Sequence, residues 1–271
     1  EILERAKTGP LMDEEDFLPK RFTPTLKKLI KQYEIKYDPN TPCPADDAMA
    51  DRIWQAAWDL FREVGYYNTD THRIITVTDE EIREALYMAN DQYTVGGGKD
   101  ARVFKHRAVE DREPPFCIMS PDITVDEKYH QSMCMAYLKE PLLDGLCGPL
   151  LEETFGHLIE SAGPTEISGC IQHIVNQKLA ARLLGRPETF MVAVGTAEHD
   201  TGQIAVSNEQ WGVAKTDARL VGSLSEFKTA DTLLNRSLHY AQYGCYTGNL
   251  TGAIYGGWCG GSEGTAVTTV A

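Results

Sequence analysis

Thr189-Phe190-Met191-Val192-Ala193-Val194 carries no charge, no proline and no alternation of polar with apolar side chains. A half-buried strand alternates, so a short β-branched and aromatic run of this kind reads as a strand covered on both faces. Strands of that type sit in parallel sheets flanked by helices. Working outward, Thr165 to Leu184 has helical length, with Ile167, Ile171 and Ile174 on one face, and it stops at Gly185 and Pro187. Before it, Leu142 to Cys147 is a second short apolar run. Thr124 with Glu127 caps a helix to about Leu138, with Tyr129, Met133 and Tyr137 inward, and Pro115 to Met119 reads as a strand. Downstream, the pattern predicts a helix over Thr216 to Phe227, strand character from Arg236 to Tyr240, a strand at Gly252 to Tyr255 and a last helix opening at Ser262. Short apolar strands alternating with longer helices predict an α/β fold built from barrel-like strand–helix units. Four or five such units are visible where a closed barrel has eight, so either the sheet is open or the chain covers only part of a barrel and is incomplete at its C-terminus.

The residues before Asp111-Arg-Glu-Pro-Pro115 read differently, and the expected division is 1–112, a helical extension with short strands, and 113–271, the barrel units. Thr23-Pro24 opens a helix with Leu26, Leu29, Ile30 and Tyr33 at helical spacing. Asp46 or Asp47 opens another, with Ile53, Ala57, Leu60 and Val64 on one face and Gly65 at its end. Asn68 to Val77 is a turn leading into a β-branched strand, and Thr78 with Glu81 forms a capping box.

The chain has 271 residues, 42% of them hydrophobic and 24% charged, with a formal net charge of -14. That hydrophobic share builds a real core. The acidic balance argues against nucleic acid and against anionic membranes as partners. No apolar run approaches the ~20 residues that cross a bilayer, and the first residues lack the apolar core of a signal peptide. Seven scattered cysteines with no CxxC pair read as reduced thiols, and the expected compartment is the cytoplasm.

No GxSxG, GxGxxG or GxxxxGK[ST] motif is present, so a hydrolase elbow, a dinucleotide fold and a P-loop are all unsupported. Gly96-Gly-Gly-Lys99 is a tight turn or an anion cradle. Gly256-Gly-Trp-Cys-Gly-Gly261 lets backbone approach a ligand or a neighbouring element. Asp70-Thr-His72 begins like the D-x-H-x-x-G fingerprint of cobalamin-holding proteins, but Ile75 stands where the glycine belongs, which leaves His72 a structural role. His239, Cys245, Cys259 and Glu263 are zinc-competent types at a spacing that matches no known pattern; no metal is expected. Glu198, His199 and Asp200 follow the Phe190–Val194 strand directly. At the C-terminal end of a barrel strand they form an acid–base candidate, and elsewhere a solvated loop. Trp211, Tyr240, Tyr243, Tyr246, Tyr255 and Trp258, with Glu263, either hold an alkylammonium cation or pack.

Several segments resemble the monomethylamine methyltransferases of methanogens. They are Arg5-Ala-Lys-Thr-Gly9, the Gly65–Ile74 stretch with its Thr69-Asp-Thr-His-Arg-Ile74, Gly96-Gly-Gly-Lys-Asp-Ala101, Gly185-Arg-Pro187, His239-Tyr240 and Gly256-Gly-Trp-Cys-Gly-Gly-Ser-Glu263. The resemblance is collinear over almost the whole chain. It implies a (β/α)8 TIM-barrel type, an oligomer of identical subunits, and methyl transfer from a methylated amine to Co(I) of a separate corrinoid protein. The corrinoid (cobalamin) would come with that partner, with no cofactor held tightly by this chain. Family members carry pyrrolysine just past the third strand to capture the amine. Counting from Gly185-Arg-Pro187 without gaps puts Val192 at that position, and small gaps put Val194 or Gly195 there. Two family pocket glutamates fall at Leu220 and Leu250, while Glu263 keeps a matching carboxylate. The implied protein is a homologue lacking pyrrolysine. Its catalytic candidates are Glu198, His199 and Glu263, and its substrate-binding candidates are Val192, Tyr240, Tyr255 and Trp258. Its donor is a small methylated amine, and a quaternary ammonium suits the chemistry. The competing readings are a metal-dependent barrel lyase or hydrolase using His239, Cys259 and Glu263, and a non-catalytic binder of a corrinoid protein or methylated ligand.

Overall fold

The computed structural model describes residues 1–108, 110–193, 199–250 and 252–271. They gather into two compact units. One is assembled from Glu1–Ala89, Gly222–Leu234 and Leu250–Ala271, the other from Asn90–Val221 and Asn235–Asn249. This grouping departs from a simple cut at residue 112, because apolar residues late in the chain complete a core begun near its start. Among the described residues no helix is long and apolar enough to cross a membrane.

In the first unit, helices Thr23–Gln32, Asp47–Val64 and Ser262–Val270 pack around Phe17, Phe22, Leu26, Leu29, Leu60, Phe227 and Val267. Asp46 caps the second helix by accepting from Met49 N at 3.0 Å, and Gly65 ends it with φ +71°. Thr23 is not a free cap. A wide turn over Phe17–Phe22 runs straight into it, and its hydroxyl donates to Trp258 O at 3.0 Å. The turn at Asn68 is preceded by a strand, Tyr66–Asn68, that pairs antiparallel with Arg73–Ile75 and parallel with Lys228–Thr229. The Thr78–Glu81 capping box is formed and opens helix Asp79–Met88.

The second unit holds the sheet that decides the architecture. Its strands are β1 (Ile118–Met119), β2 (Gly145–Leu146), β3 (Phe190–Ala193), β4 (Ala218–Gly222) and β5 (Tyr246–Leu250), and they lie in the order β5-β4-β3-β2-β1. The pairs β1–β2, β2–β3 and β3–β4 are parallel. Helices Glu127–Leu138, Pro164–Leu183, Asp200–Val206 and Asp231–Tyr243 fill the successive connections. A doubly wound sheet reverses its strand order at a switch point. Here each strand is added beside the one before it, which is the winding of a barrel. The chain is an α/β protein of (β/α)8 TIM-barrel type, with these five strands as the described part of the winding.

Both faces of β3 are covered, as its composition requires. Phe190 and Val192 pack with Val95 and Ala218, while Met191 and Ala193 pack with Leu146, Cys170 and Ile174 on the helix side.

Three elements differ from expectation. Residues 218–222, expected as helix, are strand β4; 236–240, expected as strand, lie inside helix Asp231–Tyr243; and the strand expected at 252–255 is instead β5 at Tyr246–Leu250. Arg219 misled the reading of β4. Its guanidinium is fully buried, and its two terminal nitrogens donate to the carbonyls of Ala214, Asp217, Ser207 and Val213, so the charge marks a core arginine and no exposed helix face. Helix phases also moved. Glu127–Leu138 is capped by Asp126, not Thr124, and buries His130, Cys134 and Leu138, leaving Tyr129 exposed.

Candidate functional site

Catalytic groups of a barrel sit where strands end. β3 ends at Ala193, and the chain is described again at His199. Val192 is 8% exposed on the sheet face that carries Phe190, Ala218 and the partly buried Leu220 and Tyr246. Gly248 on β5 faces it, and a Cβ there would stand an ordinary 3.7 Å from Val192 Cγ1. Val192 therefore presents a methyl-lined wall with nothing that can add to an amine. Val194, Gly195 and Glu198 lie outside the described residues.

His199 is the N-cap of helix Asp200–Val206. Its Nδ1 stands 2.8 Å from both Asp200 Oδ1 and Thr201 Oγ1, and it can accept from Thr201 N at 3.3 Å. One ring nitrogen cannot do all of this in one state. Protonated at Nδ1, the imidazole donates to Asp200; with its proton on Nε2, Nδ1 accepts from Thr201. The ring therefore has a partner in either form, as an acid–base group needs. Asp200 is held in place through Oδ2, which accepts from Asn235 Nδ2 at 2.7 Å.

Sequence reasoning missed the group beneath this helix start. Glu166 is fully buried; its Oε1 accepts from Gly202 N at 2.9 Å and its Oε2 accepts from Ala162 N. Gly202 has no room for a side chain, since a Cβ would come within 2.6 Å of Cys170 Sγ and 2.8 Å of Glu166 Cγ. An acid in the first turn of a helix usually faces water beside the macrodipole, and that ordinary reading hid Glu166. The Ile spacing misled in the same helix. Its buried face carries Glu166, Cys170, His173, Ile174 and Gln177. His173 stands edge-on to His130 at 5.0 Å. Burial pushes the His130 imidazole below its ordinary value, with the Pro149 carbonyl, 2.7 Å from Nε2, pulling the other way.

The remaining candidates divide between the units. Tyr240 belongs to the second and is fully buried. Its hydroxyl donates to Gln203 O at 3.4 Å, and burial drives its pKa far up, so it packs between helices and offers no ring face to a ligand. Tyr255, Trp258 and Glu263 belong to the first. Tyr255 and Trp258 are exposed at 69% and 48%, and among the described residues their rings make no aromatic contact. Glu263 Oε1 accepts from Tyr37 N at 3.0 Å. The zinc-competent set is likewise dispersed. His239 Nε2 pairs with Ser207 Oγ at 2.8 Å, and Cys259 Sγ donates to Ile254 O at 2.8 Å. Among the described residues no group of three or more His, Cys, Asp or Glu converges to hold a metal. At the Gly-rich turn, glycines 97 and 98 lie against the Glu188 carboxylate, leaving an anion no cradle.

The family model described as "Monomethylamine methyltransferase MtmB" matches residues 1–271. Monomethylamine methyltransferase MtmB2 of Methanosarcina acetivorans is 25% identical over all of this chain and 59% of its own length. MtmB of Methanosarcina mazei gives the same figures. Two crystal structures superpose with TM-scores of 0.94 at 24% identity, covering 98% of this chain and 58% of theirs. They are the Methanosarcina barkeri monomethylamine methyltransferase and a hydroxylamine complex of MtmB. The chain thus spans 59% of the length of the curated relatives it matches.

Proposed function

This chain belongs to the monomethylamine methyltransferase MtmB family, and from that membership we propose that it moves a methyl group from a small methylated amine to Co(I) of a separate corrinoid protein, without covalent capture of the amine. The observation that carries the second half is Val192, which ungapped counting puts at the capture position and whose side chain is hydrocarbon set among hydrocarbon; Val194 and Gly195, where small gaps would put that position, have no group that adds to an amine either.

A quaternary ammonium donor needs no capture. Its nitrogen already bears the positive charge, so the Co(I) electron pair forms the Co–C bond while the C–N bonding pair leaves with nitrogen as a neutral amine. No proton has to move. The protein's contribution is orientation and exclusion of water. Val192 would supply an apolar wall to the donor, and His199, held by Asp200 and Thr201, would set polarity near the reacting end, a task for which Glu198, its neighbour in sequence, is the other candidate. Tyr255, Trp258 and Glu263 remain candidates for holding a cation. The exposed rings of the two aromatics support that role. Replacing Trp258 by Ala should then weaken donor binding, and unchanged affinity in calorimetry would count against it.

The direct test mixes the protein with photoreduced Co(I) cobalamin and a panel of methylated amines and betaines. Methyl-cobalamin forming with one donor names the substrate. Silence across the panel, with folded protein and verified Co(I), returns the weight to a non-catalytic binder.

A further inference from the structure

The fully buried carboxylate of Glu166, on helix Pro164–Leu183, joins two connections of the second unit. Its Oε2 accepts from Ala162 N in the connection after β2. Its Oε1 accepts from Gly202 N, at 2.9 Å, in the helix after β3. Both approaches are built into the backbone. A Cβ on Gly202 would stand 2.8 Å from Glu166 Cγ and 2.9 Å from its Oε1. Ala162 holds φ of +61°, a left-handed conformation in a residue that carries a Cβ.

Gly202 is the third residue of the helix whose N-cap is His199. An N-cap side chain accepts from the amide of the second or third helical residue. Here that work is divided. His199 Nδ1 takes Thr201 N at 3.3 Å, and Glu166 takes Gly202 N from another helix. The division matters because His199 is a cap that can let go. Its Nδ1 accepts from Thr201 N only while Nε2 carries the ring proton. In the other neutral tautomer Nδ1 donates, with Asp200 Oδ1 at 2.8 Å as acceptor, and Thr201 N is released. Asp200 stays within reach of the ring because its Oδ2 accepts from Asn235 Nδ2 at 2.7 Å. Glu166 Oε1 accepts from Gly202 N whichever partner the ring takes. We propose that Glu166 is a positioning residue for His199: it keeps the first turn of helix Asp200–Val206 closed while the imidazole changes partner between Thr201 and Asp200. Glu166 acts only through that turn. This role presumes that His199 works at the site, and it is read from the ring and the amides, without turnover.

The test records long-range 1H–15N correlations of the seven histidines in the folded chain, with His199 assigned from His199→Gln. Glu166→Gln keeps the side chain's shape but turns a donor toward one of the two amides. Val206→Ala, a buried change in the same helix, controls for lost stability alone. Freed from its cap, the ring should favour Asp200, so the ratio of the Nε2–H to the Nδ1–H tautomer of His199 should fall about threefold or more in Glu166→Gln, and stay as in the native protein in Val206→Ala. Amide exchange needs no variant. Gly202 N–H, held by a carboxylate, should be about tenfold or more better protected than Thr201 N–H, held by a ring that lets go. An unchanged tautomer ratio in folded Glu166→Gln, an equal change in Val206→Ala, or Thr201 as well protected as Gly202 would overturn the proposal. If Glu166→Gln fails to fold, the exchange measurement decides alone. Silence toward every methyl donor would sink the methyl-transfer reading and leave these results standing.

Discussion

At the scale of single residues, the second unit depends on polar groups whose partners are few and fixed. Glu166 is the clearest. Glu166→Leu would leave the Gly202 and Ala162 amides without acceptors inside the protein. Each stranded group costs about 1–3 kcal/mol, so equilibrium denaturation should show a loss of that order or more; a change below about 0.5 kcal/mol, typical of a surface site, would mean that Glu166 caps nothing. Thiol reactivity offers a second residue-scale check. Burial pushes the Cys134 thiol up to about 12, whereas Cys43 is exposed. Alkylation of native protein at pH 8 should label Cys43 and spare Cys134 until the protein is unfolded. The residues the sequence showed correctly were those whose burial and chemistry agree, such as Val192 on its covered strand. Glu166, Arg219 and His130 were hidden because charge and polarity ordinarily signal exposure, and only the fold reveals that their partners are inside.

At the scale of elements, legibility followed the strength of local signals. The capping box at Thr78, the cap at Asp46 and the stop at Gly65 were readable, because each satisfies helix-end amides or carbonyls within a few residues. Strand β4 and helix Asp231–Tyr243 exchanged identities, since their buried faces carry Arg219 and Arg236 among apolar residues and no clean period survives. The helix pair Glu127–Leu138 and Pro164–Leu183 carries a pH dependence of its own. Buried His130 has its folded value below the ordinary 6.5, so the unfolded chain takes up the proton first. Its contribution to stability is present above 6.5 and is lost as pH falls below it. His130→Asn should therefore flatten the decline in stability between about pH 6.5 and 5. An unchanged slope would show that His130 titrates as it does unfolded.

At the scale of the whole molecule, parallel strand order was legible and the grouping of the chain was not. Residue 112 marks a change of rhythm, yet the core around Phe22 and Leu60 also takes in Phe227, Cys259 and Val267. Phe227 sits edge-on to Phe22 at 5.5 Å, and the Tyr66–Asn68 strand needs Lys228–Thr229 beside it. Sequence periodicity reports which face is buried but not which distant segment buries it. A fragment of residues 1–112 should consequently melt without a cooperative transition, and a sharp calorimetric peak would show that it needs nothing from the later chain. The candidate site followed the same pattern. Strand β3 was legible from its own composition, while the buried carboxylate of Glu166 is explained only when Gly202 and Ala162 meet it. Family membership names the chemistry worth testing, and the proposed place of Val192 at the capture position gives it a direction. The decisive measurement is the spectral conversion of Co(I) cobalamin to methyl-cobalamin with a quaternary ammonium donor and with monomethylamine, side by side. The account predicts conversion with the quaternary donor and none with monomethylamine; conversion with monomethylamine alone would contradict it.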